Sequence, residues 1–208
     1  EPSFDVEDLL RVNEEGQGIV HTLRLTDIQD KPKLFSSFML QLLAEIYAIF
    51  PEEGDVKKPK LVLFIDEAHL IFDNASDALL DQIEVMIKLI RSKGIGIFFV
   101  TQNPSDIPDS VLGQLGLKIQ HALRAFTAKD RKSIQKAAEN FPESPYYKVD
   151  QILTELGIGE ALVTALNEKG ILTQLVHCYL REQQARMDVL EPSEIKVLKD
   201  RTRLVSKQ

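Results

Sequence analysis

The chain has 208 residues, long for one average domain and short for two. It is 44% hydrophobic and 27% charged, which excludes a disordered chain and a collagen-like fibre. The 25 basic against 32 acidic residues leave a charge of −7, which disfavours a generally basic nucleic-acid-binding surface. A single cysteine, Cys178, excludes a disulfide scaffold and a multi-cysteine zinc site, and fits a reducing, cytoplasmic setting. No uncharged apolar run reaches the roughly 18 residues needed to span a bilayer, so no membrane partner is expected. The chain opens Glu1-Pro2-Ser3 with no starting Met and no signal peptide, the opening expected of a fragment or a processed product.

In chain order, Ile19 to Leu25 is rich in β-formers behind Gly16 and Gly18, which predicts a strand. Pro32 suits the first turn of a helix. Phe35, Phe38, Met39, Leu42, Leu43, Ile46, Ile49 and Phe50 carry that helix to Phe50 at three- and four-residue spacing. A polar loop runs from Pro51 to Pro59. Leu61 to Ile65 is a continuous apolar run, the pattern of a parallel strand buried on both faces. Ser76 caps a helix with Leu79, Ile83, Met86, Leu89 and Ile90 on one face, and Gly94 ends it.

Ile95 to Val100 is a second buried strand, and a short helix is expected from Ser105 to Leu115. Leu117 to Leu123 reads as a third strand. Thr127 with Asp130 resembles a capping box for a helix to about Asn140. Strand and helix thus alternate, as in an α/β domain with a mostly parallel sheet. Ala161 to Leu166 and Ile171 to Leu180 flank Asn167-Glu168-Lys169-Gly170, a β-hairpin signal. The charged stretch from Arg181 has helical spacing at Ile195, Leu198 and Val205. The division expected is residues 1–180 as one domain and 181–208 as a helical tail docked on a partner or on the domain surface.

The strongest motif is Leu61-Val62-Leu63-Phe64-Ile65-Asp66-Glu67-Ala68-His69, an apolar strand ending in two adjacent carboxylates. Ligands in open α/β sheets sit beyond the carboxyl ends of the strands. Magnesium is a hard ion that takes oxygen ligands and keeps several waters. Asp66 can hold such an ion through water while Glu67 orients or deprotonates an attacking water, the division of labour wanted for nucleoside triphosphate hydrolysis. The plain alternative is a pair of solvated acids. The second strand ends in Thr101-Gln102-Asn103-Pro104. In a parallel sheet Gln102 falls beside Asp66 and Glu67, where an amide can sense a terminal phosphate or position water. Here the alternative is a polar turn ahead of Pro104.

These residues resemble a known family. Asp66-Glu67-Ala68-His69 looks like a Walker B motif. Thr101-Gln102-Asn103-Pro104-Ser105-Asp106 looks like the polar motif on the adjacent strand of HerA–FtsK-type P-loop ATPases. Residues 1 to 166 resemble the HerA-like helicases of the YjgR type. The resemblance runs through Lys58-Pro59-Lys60-Leu61, Ile90-Arg91-Ser92-Lys93-Gly94, Gln120-His121-Ala122-Leu123-Arg124-Ala125-Phe126-Thr127 and Gly159-Glu160-Ala161-Leu162-Val163.

The resemblance implies a RecA-like core, a hexameric ring and ATP bound between subunits, with nucleic acid as substrate by family analogy alone. It implies nucleotide contacts from Asp66, Thr101, Gln102 and Arg124, and catalytic roles for Glu67, Gln102 and a basic residue from the neighbouring subunit. Arg91 fits that position before the second strand, with Lys93 nearby; an arginine stays charged and meets phosphate through a planar fork. The alternative for Arg91 is a basic last helix turn favoured by the macrodipole, and Arg124 is a weaker candidate for the same role. His69 is either a coupling residue or a structural one. His21, His121 and His177 lack metal-ligand spacing and read as packing or surface residues.

An ATPase of this kind needs the G-x-x-x-x-G-K-[ST] loop, and no such pattern occurs among these residues. A companion N-terminal half carrying it is therefore expected, as is a gap in the sheet with exposed apolar faces, and the 208 residues alone are expected to be inactive. Two other functions stay open. One is a non-catalytic interaction module derived from such an ATPase. The other is a magnesium nuclease, which would need Asp73, Asp77, Asp106 or Asp109 to converge on Asp66.

Overall fold

A computed structural model of the chain describes residues 5–54, 56, 58–73, 75–182, 184–186 and 188–200. Packing divides the chain into two compact units, Glu1–Val111 with Met187–Gln208, and Leu112–Arg186.

The first unit opens with a 3-10 turn at Val6–Leu10, capped by the Asp5 carboxylate accepting the Glu7 N–H at 3.0 Å. Val6 and Leu9 are buried from it. The strand expected over Ile19 to Leu25 does not form. A lone bridge joins Val12 to Gly18, and the chain then runs on without a ladder, with Val20 92% exposed. β-propensity needs a neighbouring strand to take up the backbone hydrogen bonds, and among the described residues none runs beside this segment.

Helix α1 spans Pro32–Ile49 with proline in its first turn. Phe35, Met39, Leu42, Leu43 and Ile46 form its buried stripe. It stops one residue earlier than the apolar spacing suggests. Phe50 is extended (ψ 136°), because the residue before Pro51 is pushed out of helical geometry.

Strand β1, Leu61–Ile65, is followed by the short helix α2, His69–Phe72, and by α3, Asp77–Ile90. The Ser76 hydroxyl accepts the Leu79 N–H at 3.3 Å, and Ile83, Ile87 and Ile90 are buried one helical face apart. A tight turn at Arg91–Lys93 ends in Gly94, whose φ of +70° explains the glycine. The Lys93 ammonium is withdrawn into the structure, 3.1 Å from Glu52 and 4.6 Å from the Tyr47 ring centroid.

Strand β2, Ile95–Phe99, pairs with β1 in parallel, from Leu61↔Ile95 to Ile65↔Phe99. α3 packs against β2, and the Phe72 ring meets Phe99 at 5.9 Å. The opposite face is bare, contrary to the expectation of burial on both sides. Val62, Phe64 and Phe98 are 37%, 71% and 36% exposed, and the two phenyl rings stack at 4.7 Å. The helix expected from Ser105 to Leu115 is broken into a 3-10 turn at Pro104–Asp106 and helix α4, Asp109–Leu112. Pro108 holds Ile107 extended between them.

The second unit corrects the mostly parallel sheet. Its first strand, β3 (Leu117–Gln120), precedes helices α5 (Ala128–Glu139) and α6 (Val149–Glu155), then strands β4 (Glu160–Ala165) and β5 (Val176–Tyr179). The three strands form one antiparallel sheet in the order β3-β4-β5. β3 therefore does not extend the β1–β2 pair, and it ends early. Leu123 leaves the ladder to donate its N–H to the Leu153 carbonyl at the end of α6. Thr127 and Asp130 make the reciprocal capping box that opens α5.

Ile134, Leu153, Leu156, Leu162 and Leu175 form the core of this unit. The turn Asn167–Gly170 joins β4 to the returning chain, with the Asn167 carboxamide oxygen accepting from Lys169 and Ile171 N–H. Between Val163↔Val176 and Leu166↔Leu172, two residues of one strand oppose three of the other, which is a β-bulge. Helix α7 covers Pro192–Asp200, while Val205 lies outside the described residues. Among the described residues no helix is long and apolar enough to cross a membrane.

Candidate functional site

The parallel pairing brings two polar segments to one edge. β1 and β2 end opposite each other at Ile65↔Phe99. The Val100 N–H then bonds the Ile65 carbonyl at 2.9 Å, and the Ala68 N–H bonds the Val100 carbonyl at 2.9 Å. These two bonds hold Asp66-Glu67 against Thr101-Gln102 beyond the regular ladder.

Glu67 sits at the turn from β1 into α2 with φ +49°, the one non-glycine residue at positive φ among the described residues. Such a conformation costs an L-residue about 1–2 kcal/mol. The Asp66 carboxylate accepts the Glu67 N–H at 2.9 Å and supports the turn. The Glu67 carboxylate is held from two sides. The Gln102 Nε2 donates to Oε1 at 3.0 Å, and the His69 Nδ1 lies 3.3 Å from Oε2. The Glu67 and His69 side chains are 42% and 32% exposed, so the group remains open to solvent and to a ligand. This contact to His69 was not readable from spacing, because nothing in a glutamate announces a left-handed backbone.

The other expected site residues are placed as follows. Asp66 is exposed at the strand end. Thr101 turns its hydroxyl to Asp106 Oδ2 at 2.8 Å, bracing the loop that carries Gln102. Arg91 is exposed in the turn before β2, at the opposite end of the sheet from Glu67. Arg124 lies in the second unit, where its guanidinium donates to the carbonyls of Thr154 (2.8 Å) and Leu156 (3.3 Å) at the end of α6. Asp66, Glu67, Gln102 and Thr101 thus share one edge, and Arg91 stands at the other end of the same two strands.

Among the described residues no group of three or more His, Cys, Asp or Glu side chains could hold a metal ion, so Asp73, Asp77, Asp106 and Asp109 do not converge on Asp66. A lone exposed carboxylate at a strand end fits magnesium, which is held by one or two carboxylates and otherwise by water and phosphate. His177 and His121 both meet Glu160, through its carboxylate (3.1 Å) and its backbone carbonyl (3.1 Å) respectively.

Across residues 1–207 the chain matches the family described as helicase HerA-like C-terminal. It belongs to that family. It is 32% identical over 151 residues to the probable helicase MJECL08 of Methanocaldococcus jannaschii, an alignment covering 69% of this chain and 28% of the relative. It is 33% identical over 112 residues to the probable DNA double-strand break repair helicase HerA of the same organism, covering 52% of this chain and 20% of the relative. The HerA-like chain therefore spans less than a third of the length of these relatives.

Two solved structures share its fold. The bacterial conjugative coupling protein TrwB matches with a TM-score of 0.56 at 16% identity, over 87% of this chain and 44% of that one. VirB4 of Thermoanaerobacter pseudethanolicus matches with 0.52 at 20% identity, over 78% and 41%.

Proposed function

We propose that the chain is the C-terminal part of a RecA-like motor ATPase, residues 1–180 contributing to the catalytic domain and 181–208 forming a tail. It binds and hydrolyses ATP in a cytoplasmic hexameric ring that acts on nucleic acid as a helicase or translocase. The observation that carries this reading is the Gln102–Glu67 hydrogen bond at the carboxyl ends of two parallel strands. Membership of the HerA-like family supports it, and the similarity to a probable DNA double-strand break repair helicase supports DNA as the substrate class.

In this reading Glu67 takes or orients the proton of the attacking water, in the role of general base. Gln102 tells a terminal phosphate from its absence by trading its bond to Glu67 for one to the phosphate. Thr101 steadies that exchange and contributes to nucleotide contact. Asp66 would hold the magnesium ion, which would supply charge neutralisation on the phosphate oxygens. Arg91, remote from Glu67 in its own chain, serves the site of a neighbouring subunit.

The test is steady-state ATP turnover by the full-length protein carrying Glu67→Gln. Turnover falls about a hundredfold or more, while nucleotide binding persists. Unchanged turnover removes Glu67 from the mechanism. A wild-type protein that binds partners but never turns over ATP is instead an interaction module.

A further inference from the structure

We infer that His69 is a positioning residue for the Glu67 carboxylate, keeping Oε2 in place, and so the direction in which the carboxylate faces water, when Gln102 leaves Oε1 for the phosphate. The inference rests on the ATPase reading above and adds a determinant of its rate. The two contacts come from different segments, His69 from the first turn of α2 and Gln102 from the loop after β2. The His69 nitrogen, 3.3 Å from Oε2, is the one that stays beside the carboxylate when Gln102 turns to the phosphate.

The backbone is built for the contact. Side chains at i and i+2 diverge on a helix, yet Glu67 and His69 meet at 3.3 Å across that spacing, because Glu67 itself is left-handed. A strained residue persists where its surroundings over-determine it, and such residues cluster at functional sites. The base beneath His69 is also firm. The Ser36 side chain of α1 is fully buried, with its hydroxyl 2.8 Å from both the Ile71 carbonyl of α2 and the Pro32 carbonyl of its own helix. It thereby ties α2 to α1.

The chemistry assigns the tautomer. An ionised carboxylate only accepts, so the His69 Nδ1 facing it carries the proton. A base held in one orientation keeps its line of attack, and a misplacement of about 1 Å costs on the order of a hundredfold in rate.

The experiment compares His69→Ala and His69→Asn in the full-length protein, because the asparagine amide reaches about where Nδ1 stands. His69→Ala lowers kcat for ATP at least tenfold, with KM and the thermal unfolding midpoint unchanged, and His69→Asn restores most of kcat. A second readout needs no activity. The ring nitrogens of His69, followed by 15N NMR, show the proton on Nδ1, and Glu67→Ala loses that preference.

Full activity in His69→Ala beside an inactive Glu67→Gln overturns this inference and leaves the ATPase reading standing. Equal losses in the alanine and asparagine variants with a lowered unfolding midpoint also overturn it, as a purely structural role. A tautomer indifferent to Glu67→Ala removes the contact itself. An active Glu67→Gln removes Glu67 from the mechanism, and His69 loses its role with it; a wild-type protein that never turns over ATP defeats the ATPase reading itself.

Discussion

Two carboxylates in this chain are each met by a histidine, Glu67 by His69 and Glu160 by His177, and they are held in opposite ways. Glu160 begins a regular strand and accepts the backbone N–H of Gly157 at 3.0 Å on the same oxygen that His177 approaches to 3.1 Å. Gly157 allows this close approach, since a Cβ there would stand 3.2 Å from Glu160 Oε1. The Glu160 carboxyl is held below its ordinary value of 4.5, first by the Gly157 amide and, against the effect of burial, by His177. Glu67 sits on a strained backbone, and its carboxylate takes its donors from side chains. A backbone donor cannot turn away without undoing the fold. A side-chain donor can be traded for a ligand, so Glu160 works as a staple and Glu67 as a group that can be reset.

The sharpest way to break this comparison is to neutralise each acid in turn. Glu67→Gln removes about two decades of ATP turnover and leaves thermal unfolding where it was. Glu160→Gln does the reverse, keeping turnover and lowering the unfolding midpoint by several degrees. Acid titration sharpens the contrast. With its folded pKa depressed, Glu160 contributes stability that is present above pH 4.5 and lost as pH falls through the folded value. Asp130, held down by the Thr127 backbone and hydroxyl and by the Phe126 amide, behaves the same way below 3.8. Unfolding followed from pH 6 to pH 2 therefore has a shallower acid limb in Glu160→Gln.

Smaller effects belong to the staples around it. Thr127→Ala dismantles the capping box of α5 and costs about 1 kcal/mol in chemical denaturation, with turnover unchanged. Arg124→Ala is the mildest. It releases the α6 carbonyls and lowers stability slightly, with KM for ATP constant. A raised KM would instead return Arg124 to the nucleotide site.

Local signals were legible where one segment decides the outcome. The apolar runs at Leu61 and Ile95 became the parallel pair, and the caps at Ser76 and Thr127 are where their hydroxyls suggest. The placement of Gln102 beside Glu67 followed from that pairing alone. What escaped depends on partners far along the chain. Ile19 to Leu25 has strand composition but no neighbour to pair with, and nothing in Leu117 to Gln120 says that its partner is the antiparallel β4. The helix expected from Ser105 to Leu115 is interrupted because Pro108 holds Ile107 extended. The His69 contact turns on a single backbone angle at Glu67, a residue type that seldom adopts it.

The bare Phe64–Phe98 face carries a kinetic consequence. A two-stranded sheet with one unclad side opens easily, and local opening is what admits solvent to backbone amides. The Val100 and Ala68 amides hang on the end of that same ladder, so their deuterium uptake rises and falls with β1 and β2. Any apolar surface that seals the stacked rings slows exchange at both amides, and through them quiets the loop that carries Gln102 and the turn that carries Glu67. The bare side of the sheet thus sets the clock for its carboxyl edge.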